Sequence, residues 1–147
     1  MSSNTPTELL YVIKIGGNIV DNPVLLTQCL KAFSSIEGKA ILVHGGGKMA
    51  TQLAKDLNIP QQMVEGRRIT DAETLKIVTM VYAGLINKNI VAQLQSFGAQ
   101  AMGLTGADAN LIKAHKRINA SIDYGYVGDV DEVNVSMISN LLQQNTS

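Results

Sequence analysis

Two hydrophobic periods alternate along the chain. Short apolar runs at residues 9–15 and 40–43 read as buried strands, and stretches 100–104, 111–114 and 130–135 carry a similar strand-like signature. Between them apolar residues fall three and four apart, the spacing of one helical face. Asn22-Pro23 supplies a helix start, with Asp21 or Asn22 as cap, and Leu26, Leu30 and Phe33 follow at inward spacing. Met49, Leu53, Ala54 and Leu57 mark a second helix over 48–57, which Asn58-Ile59-Pro60 ends. Residues 62–69 read as a short hairpin turning near Gly66. An amphipathic helix over 136–143, with Ile138, Leu141 and Leu142 inward, closes the pattern.

One predicted element is longer than the rest. Thr70-Asp71-Ala72-Glu73 has the capping-box pattern, with Thr70 capping and Glu73 reaching back. No proline interrupts before Phe97, and Gly98 stands where a C-terminal glycine belongs. A helix over 71–97 would be about 40 Å long. Leu75, Val78, Tyr82, Leu85 and Ile86 mark one face, while Ile77, Met80, Val81 and Leu94 spread beyond a single stripe. A helix apolar on more than one face is buried on more than one side, so the second face is expected between two copies of the chain.

The order strand, helix, strand demands a parallel pair with a right-handed crossover. The expected fold class is therefore α/β, a three-layer α-β-α sandwich with a mainly parallel central sheet. Residues 1–9 are expected as a flexible leader and 10–147 as one domain.

The chemistry gathers where strands end in glycine. Val43-His44-Gly45-Gly46-Gly47-Lys48 joins the second strand to the helix over 48–57. Residues without Cβ admit positive φ and let another molecule lie against bare N–H groups, while the helix start adds unpaired donors and a positive dipole end. An anion such as phosphate or carboxylate is the expected guest. Upstream, Lys14-Ile15-Gly16-Gly17 repeats the design with a lysine inside the strand, costly there unless its ammonium meets an anion or emerges at the strand's end. In an open parallel sheet the two turns would converge on one site.

Composition narrows the partners. Twelve basic groups balance twelve acidic ones, and no basic stripe or aromatic-basic interleaving suggests a nucleic-acid partner. The single Cys29 excludes an internal disulfide and reads as a buried thiol. The N-terminus lacks a positive n-region, and no window approaches eighteen apolar residues. A cytoplasmic location without a membrane partner is therefore expected.

The two glycine stretches, Lys14-Ile15-Gly16-Gly17 and His44-Gly45-Gly46-Gly47, together resemble the amino acid kinase family. Glu65-Gly66-Arg67-Arg68-Ile69-Thr70, the run from Gly103 to Leu111, and Gly125-Tyr126-Val127-Gly128-Asp129-Val130 narrow the resemblance to its acetylglutamate kinase branch, over about residues 10–144. The resemblance implies ATP-dependent phosphorylation of the side-chain carboxylate of N-acetyl-L-glutamate, or N-succinyl-L-glutamate, to an acyl phosphate in arginine biosynthesis. It implies ATP with Mg2+ as cofactor and no protein metal ligand in this chain. Lys14 takes the catalytic position on the transferring phosphoryl group, with Gly16, Gly17, Gly45 and Gly46 along the phosphate path. Gly46, Gly47 and Arg68 take the substrate positions, Arg68 meeting the α-carboxylate with the fork geometry that suits one.

Family dimers meet through the long helix, so a homodimer through 71–97 is implied. The family's second lysine and the aspartate that positions both lysines have no counterpart here. A C-terminal nucleotide-binding domain is thus expected outside this chain, with little activity in the chain alone. The short leader, without the extra N-terminal helix of arginine-inhibited hexameric members, implies a dimer insensitive to arginine.

Other readings of the residues remain. Gly45-x-Gly47-x-x-Ala50 satisfies a loose dinucleotide fingerprint for NAD, but the acidic residue it needs at a strand end is met only by Asp71 in a helix cap. Gly47-Lys48 suggests a P-loop, yet Leu42 stands at its first glycine and Met49 at its Ser or Thr. A non-catalytic dimerisation or sensing module would suit the long helix and leave Lys14 idle. Arg67 reads as a solvated charge, and His44 as structural, because a carboxylate acceptor needs no base at neutral pH. Asp108 and Asp129 read as turn formers before metal ligands.

Overall fold

The computed structural model describes residues 9–118 and 121–144, so all of the expected leader except Leu9 lies outside the described residues. Strands β1 (Leu10–Ile15) and β2 (Lys39–His44) pair in parallel. Between them run a one-turn helix α1 (Gly17–Val20), which the periodicity does not reveal, and α2 (Pro23–Ser34). Asn22 caps α2, its Oδ1 accepting from the N–H groups of Val24 and Leu25 at 3.1 Å each, with Pro23 in the first turn. Helix α3 (Gly47–Asp56) leaves β2 through the second glycine turn.

A hairpin of β3 (Gln62–Val64) and β4 (Arg67–Ile69) follows. Its turn residues Glu65 and Gly66 have φ of 50° and 76°, the left-handed pair that a two-residue hairpin requires. The long helix then runs over Ala72–Ser96. A second antiparallel pair, β5 (Ile112–Lys116) with β6 (Gly128–Val133), precedes helix α6 (Val135–Gln144). The architecture is α/β, with the parallel sheet two strands wide among the described residues.

The core forms where helices meet one face of β1. Ile15, Leu26 and Leu30, Ala50 and Ala54, and Ile77, Val81, Ile86, Ile90 and Leu94 make one buried cluster. Both alanines are fully buried, and their small side chains let α3 lie close to its neighbours. Cys29 is half-buried against this cluster.

The long helix changes pitch in its middle. It is α-helical over α4 (Ala72–Val78), π-helical over Thr79–Ile86 and α-helical again over α5 (Asn87–Ser96). At about 100° per residue, a five-residue step overshoots a full turn by about 140°, so Val81 and Ile86 could not share a face of a uniform α-helix. The wide turn absorbs the extra residue, and Ile77, Val81, Ile86, Ile90 and Leu94 all face inward. The predicted faces are corrected accordingly: on the first, Leu75 and Leu85 are exposed and Ile86 is buried, and of the residues expected on the second face between copies, Ile77, Val81 and Leu94 are buried within this chain while Met80 is exposed. By length and composition the helix is long and apolar enough to cross a membrane, with a mean hydropathy of 1.2 over its most apolar window, although Lys76, Asn87, Lys88 and Asn89 interrupt its apolar run. Its buried residues instead interlock with those of α2 and α3.

Three further expectations change. Asp71, not Thr70, caps the long helix: its Oδ1 accepts from the Thr74 N–H at 2.8 Å, which holds the carboxyl below its usual range, while Glu73 pairs with Lys76. Thr70 is occupied elsewhere, donating its N–H to the Tyr124 carbonyl and accepting from the Tyr126 N–H. Leu57 is exposed, one residue past the end of α3. The run 100–104 has no strand partner among the described residues, because an apolar run becomes a strand only when a neighbour supplies the ladder. It lines, with residues 40–44, a cavity of about 680 Å³.

Candidate functional site

The parallel register sets the two glycine turns side by side. Lys14 lies opposite Val43 and Ile15 opposite His44, so Gly16 and Gly45 follow at one level, at the carboxyl ends where open α/β sheets take ligands. Side chains alternate along a strand. Ile15 is buried among the helices, while Lys14 shares the exposed face with Val12. One side chain ties the turns together: Lys48 Nζ, from the first turn of α3, donates to Asn18 Oδ1 of α1 at 3.2 Å and stands 4.0 Å from Asp21 Oδ2.

The glycines serve different ends, and none of Gly16, Gly17, Gly45 or Gly46 uses the left-handed backbone that glycine would admit. A Cβ on Gly46 would stand 2.0 Å from Ile86 Cδ1 and 3.4 Å from two ring carbons of Tyr82, so the wide turn of the long helix fills the space beneath it. At Gly16 and Gly45 a Cβ would meet nothing within 4 Å. Bare backbone there faces open space, where another molecule can approach. Helix α3 starts at Gly47 with Gly46 in the cap position and no side-chain cap. Its first N–H groups and dipole end are therefore left for an anion.

Arg68 stands on β4, and its Nη2–H donates to Thr51 Oγ1 on α3 at 2.7 Å. It lines a pocket of about 320 Å³ with Met63, Gly66, Thr70, Val78 and Tyr82. Tyr82 also lies beneath Gly46, so the Arg68 pocket and the second glycine turn share a wall. The far motif closes on the same place. Gly125, with φ of 73°, packs so tightly on Thr70 that a Cβ would stand 2.2 Å from its carbonyl oxygen. Arg67, next to Arg68, is exposed.

The two aspartates weighed as metal ligands are engaged elsewhere. Asp108 Oδ2 accepts from the Thr105 N–H at 2.6 Å and from its hydroxyl at 2.8 Å, and these bonds hold its carboxyl below the usual range. Asp129 pairs with the Arg117 guanidinium, which lowers it likewise. Among the described residues no three His, Cys, Asp or Glu side chains gather as a metal site.

Sequence reasoning missed the supporting residues Asn18, Asp21, Thr51, Tyr82 and Asn87. Thr51 carried a usable signal, lying four residues after Gly47 and so on the same face of α3. The others act across the fold, where spacing is silent.

Residues 10–147 match the family model described as the Amino acid kinase family. The acetylglutamate kinase of Cytophaga hutchinsonii is 62% identical over 136 residues, 92% of this chain and 52% of that protein. The acetylglutamate kinase of Methanopyrus kandleri is 40% identical over 137 residues, 90% of this chain and 53% of that protein. The chain thus spans about half the length of the curated relatives it matches. Among solved structures, smu.665 from Streptococcus mutans UA159 superposes with a TM-score of 0.78 at 26% identity, covering 92% of this chain and 55% of that one. An N-acetylglutamate synthase from Neisseria gonorrhoeae, with a TM-score of 0.71 at 18% identity over 92% of this chain and 31% of that one, shares the fold.

The contrast between neighbouring glycines is measurable. Gly46→Ala should lose about 1–3 kcal/mol through overpacking against Ile86, whereas Gly45→Ala should stay within about 0.5 kcal/mol. Urea unfolding of both variants checks this; equal losses would contradict the packing assigned to Gly46.

Proposed function

The chain belongs to the amino acid kinase family, and on that premise we propose that it is the acyl-amino-acid half of an ATP-dependent acylglutamate 5-kinase of arginine biosynthesis. The observation that carries the proposal is the shared wall between the Arg68 pocket and the second glycine turn, which suits a substrate with a carboxylate at each end. Arg68 takes the α-carboxylate, and Met63, Val78 and Tyr82 supply apolar contact for the acyl and methylene groups. The side-chain carboxylate then reaches Gly45 and Gly46.

Phosphoryl transfer asks the protein to hold donor and acceptor in line and to stabilise charge on the moving group. Two anions must meet, so donors have to stand between them. In this reading the N–H groups of Gly16, Gly17, Gly45 and Gly46 line the phosphate path, Gly46 and Gly47 also meet the substrate, and Lys14 puts its cation on the phosphoryl group. Lys48, already held between the turns, adds a second positive charge at the same place. Mg2+ carried by the nucleotide would offset the phosphates' own charge. The adenine and ribose pocket is assigned to the further length that the relatives have, and catalysis to the two halves together. The setting we propose is cytoplasmic.

The exposed face of the long helix extends the reading to a homodimer. Leu75, Met80 and Leu85 are exposed on a helix whose Ile77, Val81, Ile86, Ile90 and Leu94 are buried, and exposed apolar side chains of this kind suit a second copy.

Calorimetry tests the acceptor site. N-acetylglutamate or N-succinylglutamate should bind the chain, with affinity falling at least about tenfold in Arg68→Ala, as expected for loss of a charged hydrogen bond. Unchanged affinity in the variant would remove Arg68 from the site. For the dimer, sedimentation of Met80→Glu/Leu85→Glu should show a monomer where the parent shows a dimer; a parent that sediments as a monomer would sink that part.

A further inference from the structure

We infer that Asn87 is a positioning residue for the second glycine turn, acting through His44. Asn87 is the first residue after the wide turn, and the five-residue step places it in the core, only 7% exposed. A polar group is costly there unless it is hydrogen-bonded. Its Oδ1 accepts no hydrogen bond and lies against Gly103, where a Cβ would stand 2.0 Å away. Its Nδ2 lies 3.3 Å from His44 Nε2, and His44 Nδ1 lies 3.2 Å from the Gly45 carbonyl oxygen.

The chemistry of these atoms fixes the proton. A carbonyl oxygen can only accept, so the ring proton belongs on Nδ1; the uncharged ring then has a bare Nε2, which needs a donor. The Asn87 amide supplies it, and leucine, of similar bulk, could not. What the relay controls follows from peptide planarity. The Gly45 carbonyl and the Gly46 N–H belong to one trans peptide unit and point in opposite directions. Holding the carbonyl toward His44 therefore aims the Gly46 N–H away from it. That N–H is one of the donors assigned above to the anion, so the consequence for ligand rests on the proposed function, while the Asn87-His44-Gly45 relay does not.

The experiment is long-range 1H–15N correlation of the histidine ring in the unliganded chain, above the usual histidine range, for the parent, Asn87→Leu and Asn87→Asp. The parent should carry the His44 proton on Nδ1. Asn87→Asp, which offers an acceptor in place of a donor, should move it to Nε2, and Asn87→Leu, which leaves the Gly45 carbonyl as acceptor and gives Nε2 no partner, should keep it on Nδ1. A parent proton on Nε2 overturns the inference, whether or not the variants fold. With the parent on Nδ1, an unchanged tautomer in folded Asn87→Asp also overturns it, and a shift to Nε2 in that variant supports it. Affinity for N-acetylglutamate should fall up to about tenfold in whichever variant folds, the scale of loss expected from one misaligned hydrogen bond. If the parent binds no acylglutamate, the proposed function fails and the tautomer result stands independently.

Discussion

The close approach of the long helix to the second glycine turn is the constraint on which the site depends. Ile86 and Tyr82 occupy the space a side chain at residue 46 would need, so the turn rests there as bare backbone, and a Cβ would have to displace Ile86. That contact exists because the π-helical segment Thr79–Ile86 carries Ile86 round to the face already defined by Ile77 and Val81. A uniform α-helix would turn Ile86 away and open a void under the turn. The same step delivers Asn87 to His44 and leaves Tyr82 as the wall between the turn and the Arg68 pocket. Packing in the core and geometry at the site are thus set by one extra residue in one helical turn.

Much of this was legible in the chain because the relevant signals are local. Asn22-Pro23 announced α2, the paired apolar runs announced β1 and β2, and Glu65-Gly66 announced its hairpin. The glycine turns could be located, but not explained, since the reason for Gly46 lies in a helix forty residues away. The buried face of the long helix departs from the one its periodicity predicts for a related reason: a period of 3.6 does not hold across the π-helical segment. Thr70 gave way to Asp71 as cap because its backbone is bonded to Tyr124 and Tyr126, a tertiary demand that outweighs a local motif. The run 100–104 shows the limit of strand propensity, which cannot supply a partner.

Electrostatically the site is built from few charges. Lys14 emerges on the exposed sheet face, Lys48 leans from one turn to the other, and Arg68 is held by Thr51. The Asp21 carboxylate, both oxygens buried without a hydrogen bond, stands 4.0 Å from Lys48 and moderates that charge. An anion entering between the turns meets cations and backbone donors already in place. In the proposed function, little reorganisation would then be needed when charge shifts during transfer.

The most direct measurement is a 15N NMR titration of the chain with N-acetylglutamate, because it reports where the ligand sits as well as whether it binds. The proposed site predicts that the amides of Gly45 and Gly46 and the Nε of Arg68 move along one saturable curve. Shifts confined to residues 40–43 and 99–107 around the larger cavity, or no shifts at saturating ligand, would contradict it.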